Sequence, residues 1–93
     1  MGTFDDDQIV TPDGTAIRRM RRQRGLSRRD FVRHMGDVNV RESGLRETIS
    51  VNLLEGIEEA NERVPYATLC RVAAGLDADP VHLVGEGDLV GEG

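Results

Sequence analysis

Apolar positions in this chain recur at helical spacing, in short stretches set apart by glycine, proline and small polar residues. Ala16, Ile17 and Met20 fall at i, i+1 and i+4, a spacing that puts them on one face of a helix. Thr11-Pro12-Asp13 predicts its start: Thr11 can cap, Pro12 suits the first helical position, and Asp13 suits the positive helix end. Gly25 predicts its end as a left-handed cap. Ser27 then caps a second short helix, with Asp30 completing a capping-box-like start and Phe31, Val32 and Met35 on its apolar face. Gly36 reads as its stop. Residues 37–48 show only the brief alternation of Val38 and Val40 and a Ser43-Gly44 turn signal, which predicts a long loop or a small hairpin. Ser50 caps a third helix with Leu53, Leu54 and Ile57 on one side. Pro65 marks a fourth, whose buried stripe is Tyr66, Leu69, Val72, Ala73 and Leu76. Asp79-Pro80 caps a fifth, short helix carrying Val81, Leu83 and Val84.

The pattern predicts one all-α domain of five short helices over residues 11–84, with a long insert between the second and third. Residues 1–10 read as a flexible acidic arm with Phe4, Ile9 and Val10 as docking points. Residues 85–93 read as a flexible Gly-rich tail, since LVGEG occurs at 83–87 and again at 89–93. A chain of 93 residues, 38% hydrophobic and 31% charged, fits a small globular domain and excludes fibrous or membrane-embedded classes. No apolar run approaches the roughly 18 residues that span a bilayer. The start, MGTFDDDQ, is acidic and unlike a secretory leader, so the expected compartment is the cytoplasm.

Charge is distributed unevenly, and this changes the picture more than the net value of −5. Every basic residue is Arg. Residues 17–46 carry a net +7, whereas residues 47–93 carry −8. A basic block inside an acidic chain keeps nucleic acid open as a partner. The Arg residues at 18, 19, 22, 24, 28, 29 and 33 form either a solvated face or a phosphate-contacting surface. Arg28 and Arg29 would sit at the positive N-terminus of the second helix, where guanidinium groups and the helix dipole favour one anion.

A short helix, a Gly-containing turn and a second short helix make the generic helix-turn-helix pattern. From Thr11 to Val84 the chain resembles the lambda-repressor-like DNA-binding domain of the xenobiotic-response-element type, found in bacterial and phage regulators. The resemblance rests on Ile17-Arg18, Met20-Arg21 and Arg24-Gly25-Leu26-Ser27, then Ile57-Glu58, then Leu69, Val72, Ala73 and Leu76. It implies a compact fold with the third helix in the major groove. It also implies a structural ion pair between Arg21 and Glu58, tying the first helix to the third. Three positions depart from the family pattern. Arg28 stands where Gln usually braces a phosphate, residues 37–48 lengthen the turn, and Glu59 falls where relatives approach the DNA backbone.

On this reading Val51, Asn52 and Glu55 face base edges: a Val methyl toward thymine, the Asn amide toward adenine, the Glu carboxylate toward cytosine N4. Arg28, Arg29, Arg41 and Arg46 would contact phosphates. Residues 37–47 are expected to form an ordered projection beside the third helix that contributes to target choice. Cys70 is expected to be a packing residue. His34 and His82 lack partners at metal-ligand spacing, so no metal or cofactor is expected. No nucleophile–base set, phosphate loop or paired catalytic carboxylate is present, and the chain is not expected to be an enzyme. The expected function is a sequence-specific DNA-binding transcriptional regulator, repressor-like and homodimeric, on double-stranded DNA. The alternative from another class is a protein-interaction module on the same fold, of antitoxin, sigma-factor-binding or DNA-mimic type, using its acidic third helix.

Overall fold

A computed structural model describes residues 4–85 of the chain. In order, it contains β1 (Ile9–Val10), α1 (Gly14–Gln23), α2 (Arg28–Ser43), α3 (Val51–Ala60), β2 (Val64–Pro65), α4 (Tyr66–Leu76) and a 3-10 turn at Pro80–Leu83. The architecture is mostly helical. Four α-helices replace the five expected, because the Asp79-Pro80 segment closes as a single 3-10 turn. The expected Gly-rich tail lies, apart from Gly85, outside the described residues.

α1 packs on α3, and α2 packs on α4 and α3. Ile17, Phe31, Met35, Leu54, Ile57, Leu69, Val72 and Leu76 fill the centre and are wholly buried. Polar caps explain where the helices begin. Ser27 Oγ accepts from Asp30 N at 3.0 Å, and Ser50 Oγ accepts from Leu53 N at 3.0 Å. The first helix starts later than its Thr11-Pro12 signal. Asp13 is the cap, accepting from Ala16 N at 3.1 Å, while Pro12 pairs with Val84 as an isolated antiparallel bridge.

The largest correction concerns residues 37–48. They are neither a loop insert nor a hairpin projection, since α2 continues unbroken through Gly36 to Ser43 and ends at Gly44, whose φ of 84° needs the freedom of glycine. Gly36 does not stop the helix; it makes room. A Cβ there would lie 3.1 Å from the Arg46 side chain. Residues 45–49 return alongside the helix they have just left. Asn39 Nδ2 donates to the Glu47 carbonyl at 3.0 Å as well as to Met35 O at 2.9 Å. Thr48 Oγ1 donates to Val32 O at 2.6 Å. Arg46 Nη2 reaches Arg33 O at 3.3 Å. The out-and-back path delivers Ile49, buried, and the Ser50 cap beside the first half of α2.

The acidic N-terminal segment is attached at each apolar point expected to dock. Phe4 lies against Tyr66 with ring centroids 5.1 Å apart. Val10 is fully buried, and β1 pairs antiparallel with β2, Ile9 opposite Pro65 and Val10 opposite Val64. Cys70 is half-buried, and burial pushes its thiol pKa up, so the reactive thiolate is disfavoured.

Candidate nucleic-acid interface

α3 turns Leu54, Ile57 and Glu58 to the interior and leaves Asn52, Glu55 and Glu59 exposed. These last three sit at i, i+3 and i+7, so they line one stripe down the helix. Val51, at the first helical position, is half-buried. Val51, Asn52 and Glu55 are therefore brought together at the N-terminal half of α3, with Asn52 and Glu55 open to an approaching surface.

Beneath that stripe lies the ionic frame that fixes α3. Glu58 has no exposed side-chain surface. It accepts Arg21 Nε at 2.7 Å and Arg21 Nη2 at 2.8 Å, a bidentate pair, and Arg28 Nε at 3.0 Å. Burial pushes the Glu58 carboxyl upward, but the hydrogen bonds and charges of Arg21 and Arg28 outweigh it and hold the pKa below the ordinary value. The same partnership raises the Arg21 guanidinium, chiefly through its hydrogen bonds to Glu58. Arg21 Nη1 also donates to Leu26 O at 2.7 Å. One buried guanidinium thus ties α1, the turn before α2 and α3. At the other end of that turn, Arg24 Nη2 donates to the Leu76 carbonyl at the end of α4.

The four arginines expected on phosphate do not form one set. Arg28 and Arg29 open α2, and Arg29 is exposed with no ion-pair partner among the described residues. Arg28 is already engaged: besides Glu58, its Nη2 meets Glu59 Oε2 at 2.7 Å. Arg41 lies about 20 Å further along α2 at the helical rise; it is exposed. Arg46 lies on the return segment and pairs with Asp37, and that contact holds the Asp37 carboxyl below its usual value.

Sequence reasoning placed Arg18 only within a general arginine cluster and missed its contact with Glu59. Arg18 Nη1 stands 3.5 Å from the same Glu59 oxygen that Arg28 holds. Arg18 is one helical turn before Arg21, and Glu59 follows Glu58, so the basic and acidic pairs were in view. Their meeting depends on how α1 crosses α3, which no local pattern encodes. Among the described residues no group of three or more His, Cys, Asp or Glu is placed to hold a metal ion, and no helix is long and apolar enough to cross a membrane. No curated protein and no solved structure matches the chain. Residues 14–84 match the family model of a helix-turn-helix domain.

Proposed function

We infer that this chain, which belongs to the helix-turn-helix domain family, is a sequence-specific regulator that binds double-stranded DNA as a homodimer, in the manner of the repressor-like xenobiotic-response-element proteins it resembles. The observation that carries this reading is the exposed stripe of α3. Its N-terminal half presents Asn52 and Glu55, with Val51 beside them, on a helix held rigid from behind by Glu58, Arg21 and Arg28. A major groove admits a helix in that orientation, and the Asn amide can bond adenine N6 and N7 together. Arg28 and Arg29, at the positive end of α2, set the register on phosphates. Arg41 and Arg46, on the far part of α2 and its return, would reach phosphates further along the duplex.

A salt series on random and operator duplexes tests this. A phosphate binder shows log K falling with log salt at roughly −0.9 per phosphate neutralised. Arg29→Ala should weaken binding to every sequence and reduce that slope by about one. Asn52→Ala should cost about 1–3 kcal/mol on the specific site alone. Equal losses on random and specific DNA would remove Asn52 as a base reader.

A second reading has its own observation. Glu55, Glu59 and Glu62 are all exposed on α3 and just after it, a face that suits a basic protein surface. Absence of duplex binding at about 50 mM salt would favour that protein-interaction module.

A further inference from the structure

We propose that Arg18 and Arg28 form a preformed phosphate site which Glu59 occupies in the free protein, and that duplex DNA binds there by displacing the Glu59 carboxylate. The proposal rests on the DNA-binding reading above. It adds one basic residue, Arg18, and makes Glu59 an internal stand-in for a phosphate rather than a simple repulsive charge.

Three features of the geometry support it. Two guanidinium groups from different helices converge on a single carboxylate oxygen, Arg28 Nη2 at 2.7 Å and Arg18 Nη1 at 3.5 Å from Glu59 Oε2. Convergence of that kind suits one tetrahedral anion, because each guanidinium can give a charge-assisted bond to a different oxygen. The occupant is also the most exposed of the four side chains: Glu59 is 45% exposed, against 38% for Arg18, 27% for Arg28 and none for Glu58. Glu59 can rotate into solvent while Glu58, bound to Arg21, keeps Arg28 in place. Finally, Arg18 is incompletely satisfied. Its Nε has no hydrogen-bond partner among the described residues, and its Nη1 stands a long 3.5 Å from Glu59, so the Glu59 carboxylate satisfies this guanidinium only in part.

Charge follows the same direction. Arg18, Arg21 and Arg28 face Glu58 and Glu59, a cluster with one net positive charge that rises to two when Glu59 leaves. The site opens beside the first turn of α2, where the helix end already favours an anion. An exposed ion pair is weak enough for a polyanion to displace it.

The test combines two readouts on Glu59→Gln, Arg18→Ala, Arg28→Gln and the double variants, each checked for native circular dichroism. The first is affinity for random-sequence duplex DNA at about 50 mM salt. Glu59→Gln should tighten binding about twofold to fivefold, and the gain should vanish when Arg18→Ala or Arg28→Gln is present. The second is thermal stability in inorganic phosphate at constant ionic strength. Phosphate should raise the Tm of Glu59→Gln more than that of the native chain, and should not do so in Glu59→Gln/Arg28→Gln. A gain in DNA affinity that survives loss of either arginine means general relief of repulsion and overturns the proposal. A Glu59→Gln variant with neither the affinity gain nor the phosphate response overturns it too. A phosphate response without duplex binding by any variant upholds the anion site and refutes the DNA-binding reading instead.

Discussion

Replacing Arg21 by Ala removes a buried side chain that joins three parts of the fold. Three hydrogen bonds disappear, two to Glu58 at 2.7 and 2.8 Å and one to the Leu26 carbonyl at 2.7 Å. Glu58 is left without side-chain exposure and with only Arg28 Nε, 3.0 Å away, to balance its charge. Breaking a buried pair by deleting one partner costs about 3–5 kcal/mol, because the remaining charge keeps its desolvation penalty. Arg28 still compensates in part, which places the expected loss near the lower figure, about 3 kcal/mol. For a domain of this size that corresponds to a fall in Tm of about 12–24 °C. Arg22 supplies the control. It is the next residue on α1 and is exposed, so Arg22→Ala should stay within about 0.5 kcal/mol of the native chain. A third variant separates charge from volume: Arg21→Met with Glu58→Leu removes both charges and should recover much of the loss. Differential scanning calorimetry on the four proteins decides the matter. Equal shifts for Arg21→Ala and Arg22→Ala would refute the idea that this contact holds α1 to α3.

Acid should act on the same contact. The Glu58 pKa is depressed in the folded chain, so its stabilisation is complete above the unfolded value of about 4.3 and is lost as pH falls through the folded value. Glu58→Gln should lower Tm at neutral pH yet flatten its decline in acid; an unchanged acid slope would count against this. Gly14→Ala should destabilise by about 1–3 kcal/mol, since a Cβ there would overlap the Ile57 carbonyl and sit 2.7 Å from Asn61 Oδ1; a native Tm would show that α1 is free to move off α3. Asn39→Leu should cost about 1–3 kcal/mol by leaving the Glu47 carbonyl without its donor, and should speed proteolysis within residues 44–48; a protection pattern like that of the native chain would mean the return segment is held by other contacts.

Much of the frame was legible because its signals are local. Ser27 and Ser50 are small polar caps before apolar faces, Gly25 has the positive φ of 71° its position suggested, and the α4 stripe from Tyr66 to Leu76 is buried as its spacing implied. The end of α2 was misread through two residues. Gly36 looked like a stop but adopts ordinary helical geometry under the Arg46 side chain. Asn39 looked like a loop residue, although its amide is satisfied inside by Met35 and Glu47 carbonyls. Phe31, Met35 and Val38 do keep helical spacing across Gly36, and that period was the available signal. The start of α1 was misplaced because Pro12 is drawn into a bridge with Val84, a pairing between positions far apart in sequence. Asn52 and Glu55 were placed on the outer face of the third helix by the family resemblance, whereas the convergence of Arg18 and Arg28 on Glu59 depends on helix crossing and had no local signal.

The pairing of Pro12 with Val84 also bears on how the molecule opens. Asp13 N bonds Leu83 O at 2.7 Å, Gly85 N bonds Thr11 O at 2.6 Å, and Tyr66 N bonds Gln8 O at 2.7 Å. All of these form a seam that holds the segment before α1 to the start of α4 and to the segment after it, and closing it spans a longer stretch of chain than the Arg21–Glu58 contact does. The seam should zip after the helices have collapsed and should open before they separate, so it forms a cooperative unit of its own. Its parting exposes Val10, Leu83 and Val84, all buried in the closed form, while leaving the contacts of Arg21 with Glu58 untouched. Amide exchange at Asp13 and Gly85 should therefore report a partial opening of lower free energy than exchange at Ile57.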